Sequence, residues 1–213
     1  MLKPITAGLV SCSLLTACGG GEEQQKEEER VTAIQQCDGI LSPEAAKALP
    51  TVLRTERFRN MATGGVGRAV EELTSDYANG KRWSTHSYMC RVRAESGRAA
   101  LDIDFGLYDP SDLIGEGRVI NMYPYEGMGR EAHAGFKRAY LFLECVSPRL
   151  KGSEEVPVRI RGRVDLDKPW PPDTVATREA NLTVLHSVAR AIVKELGCEN
   201  NAGLPEEPVL KAK

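Results

Sequence analysis

The stretch THSYMCRVRAESGRAALDIDFGLY, residues Thr85–Tyr108, decides the fold class. Tyr88, Cys90 and Val92 alternate with Met89, Arg91 and Arg93; the tetrapeptide AESG then turns the chain. On the return, Leu101, Ile103, Phe105 and Leu107 alternate with Asp102, Asp104 and Gly106. A period of two sends successive side chains to opposite faces of a strand, so this stretch is a β-hairpin with one buried and one solvated face. Two later stretches extend it. Ala139–Val146, AYLFLECV, is apolar throughout and reads as a central strand. In Val156–Val164, VPVRIRGRV, Val158, Ile160 and Val164 lie on one side and Arg159, Arg161 and Arg163 on the other. Arg118–Tyr123 is a further candidate strand.

An apolar sheet face needs a cover. Asp173–Leu196 carries Leu182, Leu185, Val188, Ala189, Ile192, Val193 and Leu196 at helical spacing, with Gly197 as a C-terminal stop. Ser42-Pro43-Glu44 has the hydroxyl cap, first-turn proline and early acid of a helix start, and Pro50 is expected to end that helix. Residues 51–61 are ambiguous. A second helix follows Gly64-Gly65, with Val66, Ala69, Val70, Leu73 and Tyr77 on one face and a stop at Asn79-Gly80. The sum is an α+β layer fold, an antiparallel sheet of about five strands covered by two or three helices.

The address is written at the other end of the chain. Lys3 precedes an apolar run, Ile5–Leu15, whose length of about eleven residues suits an export signal and falls short of a bilayer span. The residues that close it, Leu15-Thr16-Ala17-Cys18, resemble the lipobox of bacterial lipoproteins. That resemblance implies cleavage before Cys18, a diacylglycerol thioether on its sulfur, and a protein held at the membrane by its lipid. Ordinary secretion, with cleavage after Ala17 or Ala7 and Cys18 left as a plain thiol, is the alternative. Gly19–Gly21 and the glutamate-rich Glu22–Arg30 have nothing to bury and read as a solvated tether about 20 Å in reach, or as a short helix. The expected organisation is therefore a signal peptide over 1–17, lipidated cysteine and tether over 18–36, an α+β domain over 37–198, and a mobile tail over 199–213.

The chain of 213 residues carries a formal charge of −2, and losing residues 1–17 with Lys3 leaves 196 residues and −3. That near-neutral balance argues against a nucleic-acid partner. No other apolar run approaches the eighteen residues of a membrane span. Of six cysteines, Cys12 falls in the signal, Cys18 at the lipid site, and Cys37, Cys90, Cys145 and Cys198 in the body. Four outside a reducing compartment imply two disulfides, for which three pairings exist. Cys37 with Cys90 and Cys145 with Cys198 is favoured, because each joins a helix end to a strand. No C-x2-C or C-x4-C spacing or neighbouring histidine suggests a metal site, and no cofactor is implied.

The lipobox, the acidic spacer, CDGILSPEAAKAL, a strand cysteine and the closing ARAIVKELGC together resemble uncharacterised actinobacterial (Streptomyces-type) cell-envelope lipoproteins with a four-cysteine mature domain. That resemblance implies a place on the extracytoplasmic face of the cell membrane and brings no catalytic residues with it.

Candidate chemistry is sparse. His86, His133 and His186 show no H-E-x-x-H spacing, and no G-x-S-x-G is present. TGGVGR, Thr63–Arg68, puts glycines at a helix start but lacks the Lys-Ser/Thr of a P-loop, so it reads as a flexible helix entry. Asp102 and Asp104 share a strand face, either as paired carboxylates for acid–base work or as cross-strand partners of the arginines. Met122–Phe136, MYPYEGMGREAHAGF, reads as a glycine-rich loop, and as a candidate lid that includes His133. The arginine row Arg159, Arg161 and Arg163 can hold an anion, because a guanidinium fork matches carboxylate or phosphate. The expectation is a non-catalytic, lipid-anchored module that binds a small molecule or envelope protein through Arg159, Arg161, Arg163 and His133. The alternative is a cell-envelope hydrolase using carboxylates near Asp102 and Asp104.

Overall fold

A computed structural model of the chain describes residues 30–59, 61, 64–84, 87–115 and 119–213. The signal segment, the lipobox with Cys18, most of the tether, Thr63, His86 and Arg118 lie outside the described residues.

Among the described residues the strands are β1 (Arg30–Val31), β2 (Phe58–Arg59), β3 (Ser87–Ala94), β4 (Ala100–Leu107), β5 (Tyr123–Tyr125), β6 (Glu131–Ala134), β7 (Arg138–Cys145) and β8 (Val158–Leu166). They form one antiparallel sheet in the order β1-β2-β3-β4-β8-β7-β6-β5. The expected class is met, and the eight strands exceed the five expected. Two of the extra strands, β1 and β2, are two residues long, too short for any alternation to show. The others form the hairpin β5–β6 inside Met122–Phe136, which corrects the reading of that segment as a loop. Gly127 and Gly129, at φ +71° and +60°, turn the chain there. Tyr125 and Ala132 then pair on the apolar face. The strand expected over Arg118–Tyr123 begins only at Tyr123, after a turn in which Met122 N donates to Val119 O at 3.0 Å.

Three helices, α1 (Pro43–Leu53), α2 (Gly65–Ala78) and α3 (Val175–Leu196), lie on one side. Ser42 Oγ accepts from Ala45 N at 3.2 Å and starts α1 as expected. The helix passes Pro50 and ends a turn later, where Arg54 turns left-handed at φ 55°. The lost hydrogen bond is offset by burial of Val52 and Leu53. α2 is capped at Gly64, where a Cβ would meet Tyr88 O at 2.2 Å; the glycine is there for close approach to β3. α3, capped by Thr174 and stopped by left-handed Gly197, covers β6, β7 and β8 and carries α1 on its flank.

The core lies between these helices and the sheet. Leu101, Ile103, Phe105 and Leu107 meet Leu141, Leu143, Ile160 and Val164 across the strands. Gly162, in the middle of β8, leaves room for Phe105 and Leu185 of α3. Cys37 is bonded to Cys90 and Cys145 to Cys198, the favoured pairing, each bridge separated by 53 residues. The segment 199–213, expected to be mobile, is instead held along the sheet edge. Leu204 is buried, Glu126 N donates to Lys211 O and Lys213 N to Pro124 O, both at 3.0 Å. The unpaired backbone of edge strand β5 supplies those partners. No helix among the described residues is long and apolar enough to cross a membrane.

Candidate functional site

Antiparallel pairing puts directly opposed residues on the same face, so the register fixes what the helix-free face displays. One row reads His133, Tyr140, Arg163, Asp104 across β6, β7, β8 and β4. The next reads Glu131, Phe142, Arg161, Gly106, and a third places Glu144 opposite Arg159. All four residues singled out for ligand binding therefore share one face, with Tyr140 between His133 and Arg163.

The chain from β4 to β5 must pass three intervening strands, and its described part touches this face at two points. Tyr108 N donates to Arg159 O at 3.2 Å where it sets out, and Gly115 N donates to Glu131 Oε2 at 3.1 Å farther on. Beneath lie Tyr108 and Phe142, each 1 % exposed, edge to face with ring centroids 5.1 Å apart.

The acids resolve into ion pairs. Arg163 donates two hydrogen bonds to Asp104 Oδ2, from Nε at 3.0 Å and from a terminal nitrogen at 2.7 Å. Asp102 lies 3.3 Å from Arg91 Nε, and burial raises its carboxyl above the usual range although Arg91 pulls the other way. Arg163 is thus engaged by a carboxylate.

Two clefts flank the aromatic pair. The first, about 600 Å³, is built on the β5–β6 hairpin from residues 124–133, with Gly115 and the terminal Lys213. In it His133 Nε2 lies 3.1 Å from Glu131 Oε2. Burial holds that imidazole below its ordinary pKa, against the opposing pull of Glu131. Its described lining offers an acid and a base but no serine, threonine or cysteine nucleophile.

The second cleft, about 370 Å³, opens at the end of the sheet where β4 finishes and β8 begins. The end of α2 and the turn after it supply Tyr77, Lys81 and Arg82; the end of β4 and the residue after it supply Leu107 and Tyr108; Val156, Pro157, Val158 and Arg159 complete it. Its charged lining residues are all cationic. Lys81 is paired with Asp76 at 2.6 Å, and Arg82 lies 3.6 Å from Asp109. Arg159 makes no ion pair among the described residues, although Glu144 opposes it in the register and, after the hydrogen bonds from Ser111, its charge helps hold the Asp109 carboxyl below the usual range. The Tyr108 hydroxyl is buried without a hydrogen bond among the described residues, and desolvation pushes it up to about 12. Sequence reading found Arg159 and missed Lys81, Arg82 and Tyr108, because three separate elements bring them together and no local pattern marks them.

His186 is structural. It is 2 % exposed, its Nε2–H donates to Pro205 O at 3.1 Å, and burial lowers its pKa to about 4. Among the described residues no group of three histidine, cysteine or carboxylate side chains could hold a metal.

Compared with protein-family models, with curated proteins and with solved structures, the chain matches none.

Proposed function

We propose that this protein is a lipid-anchored module on the extracytoplasmic face of an actinobacterial cell membrane, and that it binds an anion with an apolar body in the Arg159 cleft. The lipobox at Cys18 supports the anchor. Two disulfides that use all four body cysteines suit an oxidising compartment. The observation that carries the ligand reading is Arg159 itself: a guanidinium that makes no ion pair among the described residues, beside Lys81 and Arg82 and against a wall of Leu107, Tyr108 and Val156. A guanidinium holds a carboxylate through two parallel hydrogen bonds, the apolar wall takes the rest of the molecule, and the cleft volume of about 370 Å³ is within the range of small-molecule sites.

The hydrolase reading has less behind it. Asp102 and Asp104 are engaged by arginines, and neither lines either cleft.

The test is calorimetric titration of the protein with aliphatic and aromatic monocarboxylates. A charge-assisted hydrogen bond is worth about 1.5–3 kcal/mol, so Arg159→Glu should weaken binding by roughly ten- to a hundredfold. Arg163→Gln, which alters the neighbouring ion pair, should leave affinity within about threefold. Unchanged affinity in Arg159→Glu, or no binding of any carboxylate, refutes the assignment.

A further inference from the structure

The sheet has two ends, and the Arg159 cleft occupies one of them. At the other end, Arg30 pairs with Arg59, Arg59 with Arg93, and Arg93 with Ala100. Ala100 O accepts from Asp167 N, and Leu166 N donates to Lys137 O, both at 2.9 Å. The described chain therefore begins level with the end of the sheet that carries Lys137 and the segment after β8. Along the eight residues of β4 that end is about 24 Å from the cleft.

This far end has an unusual surface. Trp170 is 37 % exposed, and its indole N–H donates to Leu166 O at 3.1 Å, which fixes the ring. The Lys137 ammonium lies 3.5 Å from the ring centroid and that of Lys168 4.8 Å away, while Phe136 meets the ring edge-on at 6.3 Å. Neither lysine has a carboxylate partner among the described residues. On the adjoining turn Ile120 is 87 % exposed, and Tyr123, at the end of β5, is exposed beside it.

We infer that this end of the sheet is a membrane-contacting surface that rests on anionic lipid. The inference builds on the lipid-anchor reading. Tryptophan and tyrosine favour the bilayer interface, unpaired lysines are drawn to anionic headgroups, and an exposed isoleucine gains by entering the acyl boundary. The tether length fits. Residues 19–29 span up to about 38 Å when extended and about 18 Å as a coil. Trp170 lies beyond β8, four strand spacings or about 19 Å across the sheet from β1. With this end down, the Arg159 cleft faces away from the membrane and stays open to ligand.

The protein contains two tryptophans, and Trp83 stands next to Arg82 at the cleft end, so each end has its own reporter. The acylated protein is reconstituted in phosphatidylcholine–phosphatidylglycerol vesicles whose acyl chains are brominated, once as Trp83→Phe and once as Trp170→Phe. Trp170 fluorescence should be quenched at least about twofold more than that of Trp83. Combining Ile120→Asp, Lys137→Glu and Lys168→Glu should abolish the difference. Equal quenching at both ends, stronger quenching of Trp83, or a difference that survives the triple substitution overturns the assignment; equal quenching leaves the surface to a protein partner. The anchor is read separately from the mass of the Cys18 peptide. An acylated protein with equal quenching refutes the surface alone, and an unacylated one refutes the anchor and the inference with it.

Discussion

Replacing Gly162 with alanine sets two opposite effects against each other. In an unobstructed strand, alanine is favoured over glycine by about 0.5–1 kcal/mol, because glycine loses more backbone freedom on folding. At this position the added Cβ would lie 2.7 Å from Phe105 Cε1 and 3.2 Å from Leu185 Cδ1. Phe105 is fully buried, so its ring has nowhere to go without moving neighbours. Overpacking of this kind costs about 1–3 kcal/mol, which exceeds the backbone gain. Gly162→Ala should therefore destabilise the domain by about 1–2 kcal/mol, a fall in melting temperature of roughly 2–8 °C at this domain size. Urea and thermal unfolding followed by circular dichroism measure it. Phe105→Leu should remove the conflict, so the double variant should be more stable than the sum of the single effects by about 1 kcal/mol. A neutral or stabilising Gly162→Ala, or strictly additive single variants, would show that β8 does not present this residue to α3 as described.

Two further outcomes follow from buried groups. His186 has a pKa of about 4 when folded against an ordinary 6.5, so in acid the unfolded chain takes up the proton first. Its contribution, on the order of 3 kcal/mol, is complete above pH 6.5 and is lost as pH falls towards 4. Urea midpoints at pH 7 and pH 4.5 should differ less in His186→Gln than in the wild type, and parallel shifts would contradict the assignment. Removing the Cys145–Cys198 bridge by alanine at both positions opens a 53-residue separation and should cost about 4 kcal/mol on the chain-entropy account; a loss below about 1 kcal/mol in guanidinium unfolding would not be compatible with it.

The hairpin at β3–β4, the long helix α3 and the pairing of the four body cysteines were legible because each leaves a periodic or positional mark in the sequence. A period of two over eight residues, or apolar residues at 182, 185, 189, 192 and 196, does not need tertiary context to be read. The β5–β6 hairpin was not legible, because Gly127, Gly129 and Gly135 dominate a segment whose strands are three and four residues long. Pro50 misled for another reason: the penalty of an internal proline is local, while the burial of Val52 and Leu53 that offsets it is tertiary. The tail gave no warning of its fixed path, since its partners are backbone groups at β5 and the His186 and Arg190 side chains of α3, all distant in sequence.

The same division holds for the site. Alternation on β8 put Arg159, Arg161 and Arg163 on one face from sequence alone. Their fates diverge across the register: Arg163 is hydrogen-bonded to Asp104, while Arg159, although Glu144 lies opposite it, makes no ion pair among the described residues. Register depends on the whole sheet, and Lys81, Arg82 and Tyr108 reach Arg159 only after α2, β4 and β8 are in place.

The central claim, a cleft-bearing domain held to the outer face of a membrane by lipid, meets its most direct test at residue 18. Mass spectrometry of the purified membrane fraction should show a mature chain that begins at Cys18 and carries the mass of a diacylglycerol thioether, lost in Cys18→Ala. A soluble chain that keeps Met1, or begins elsewhere with an unmodified Cys18 thiol, would contradict the claim.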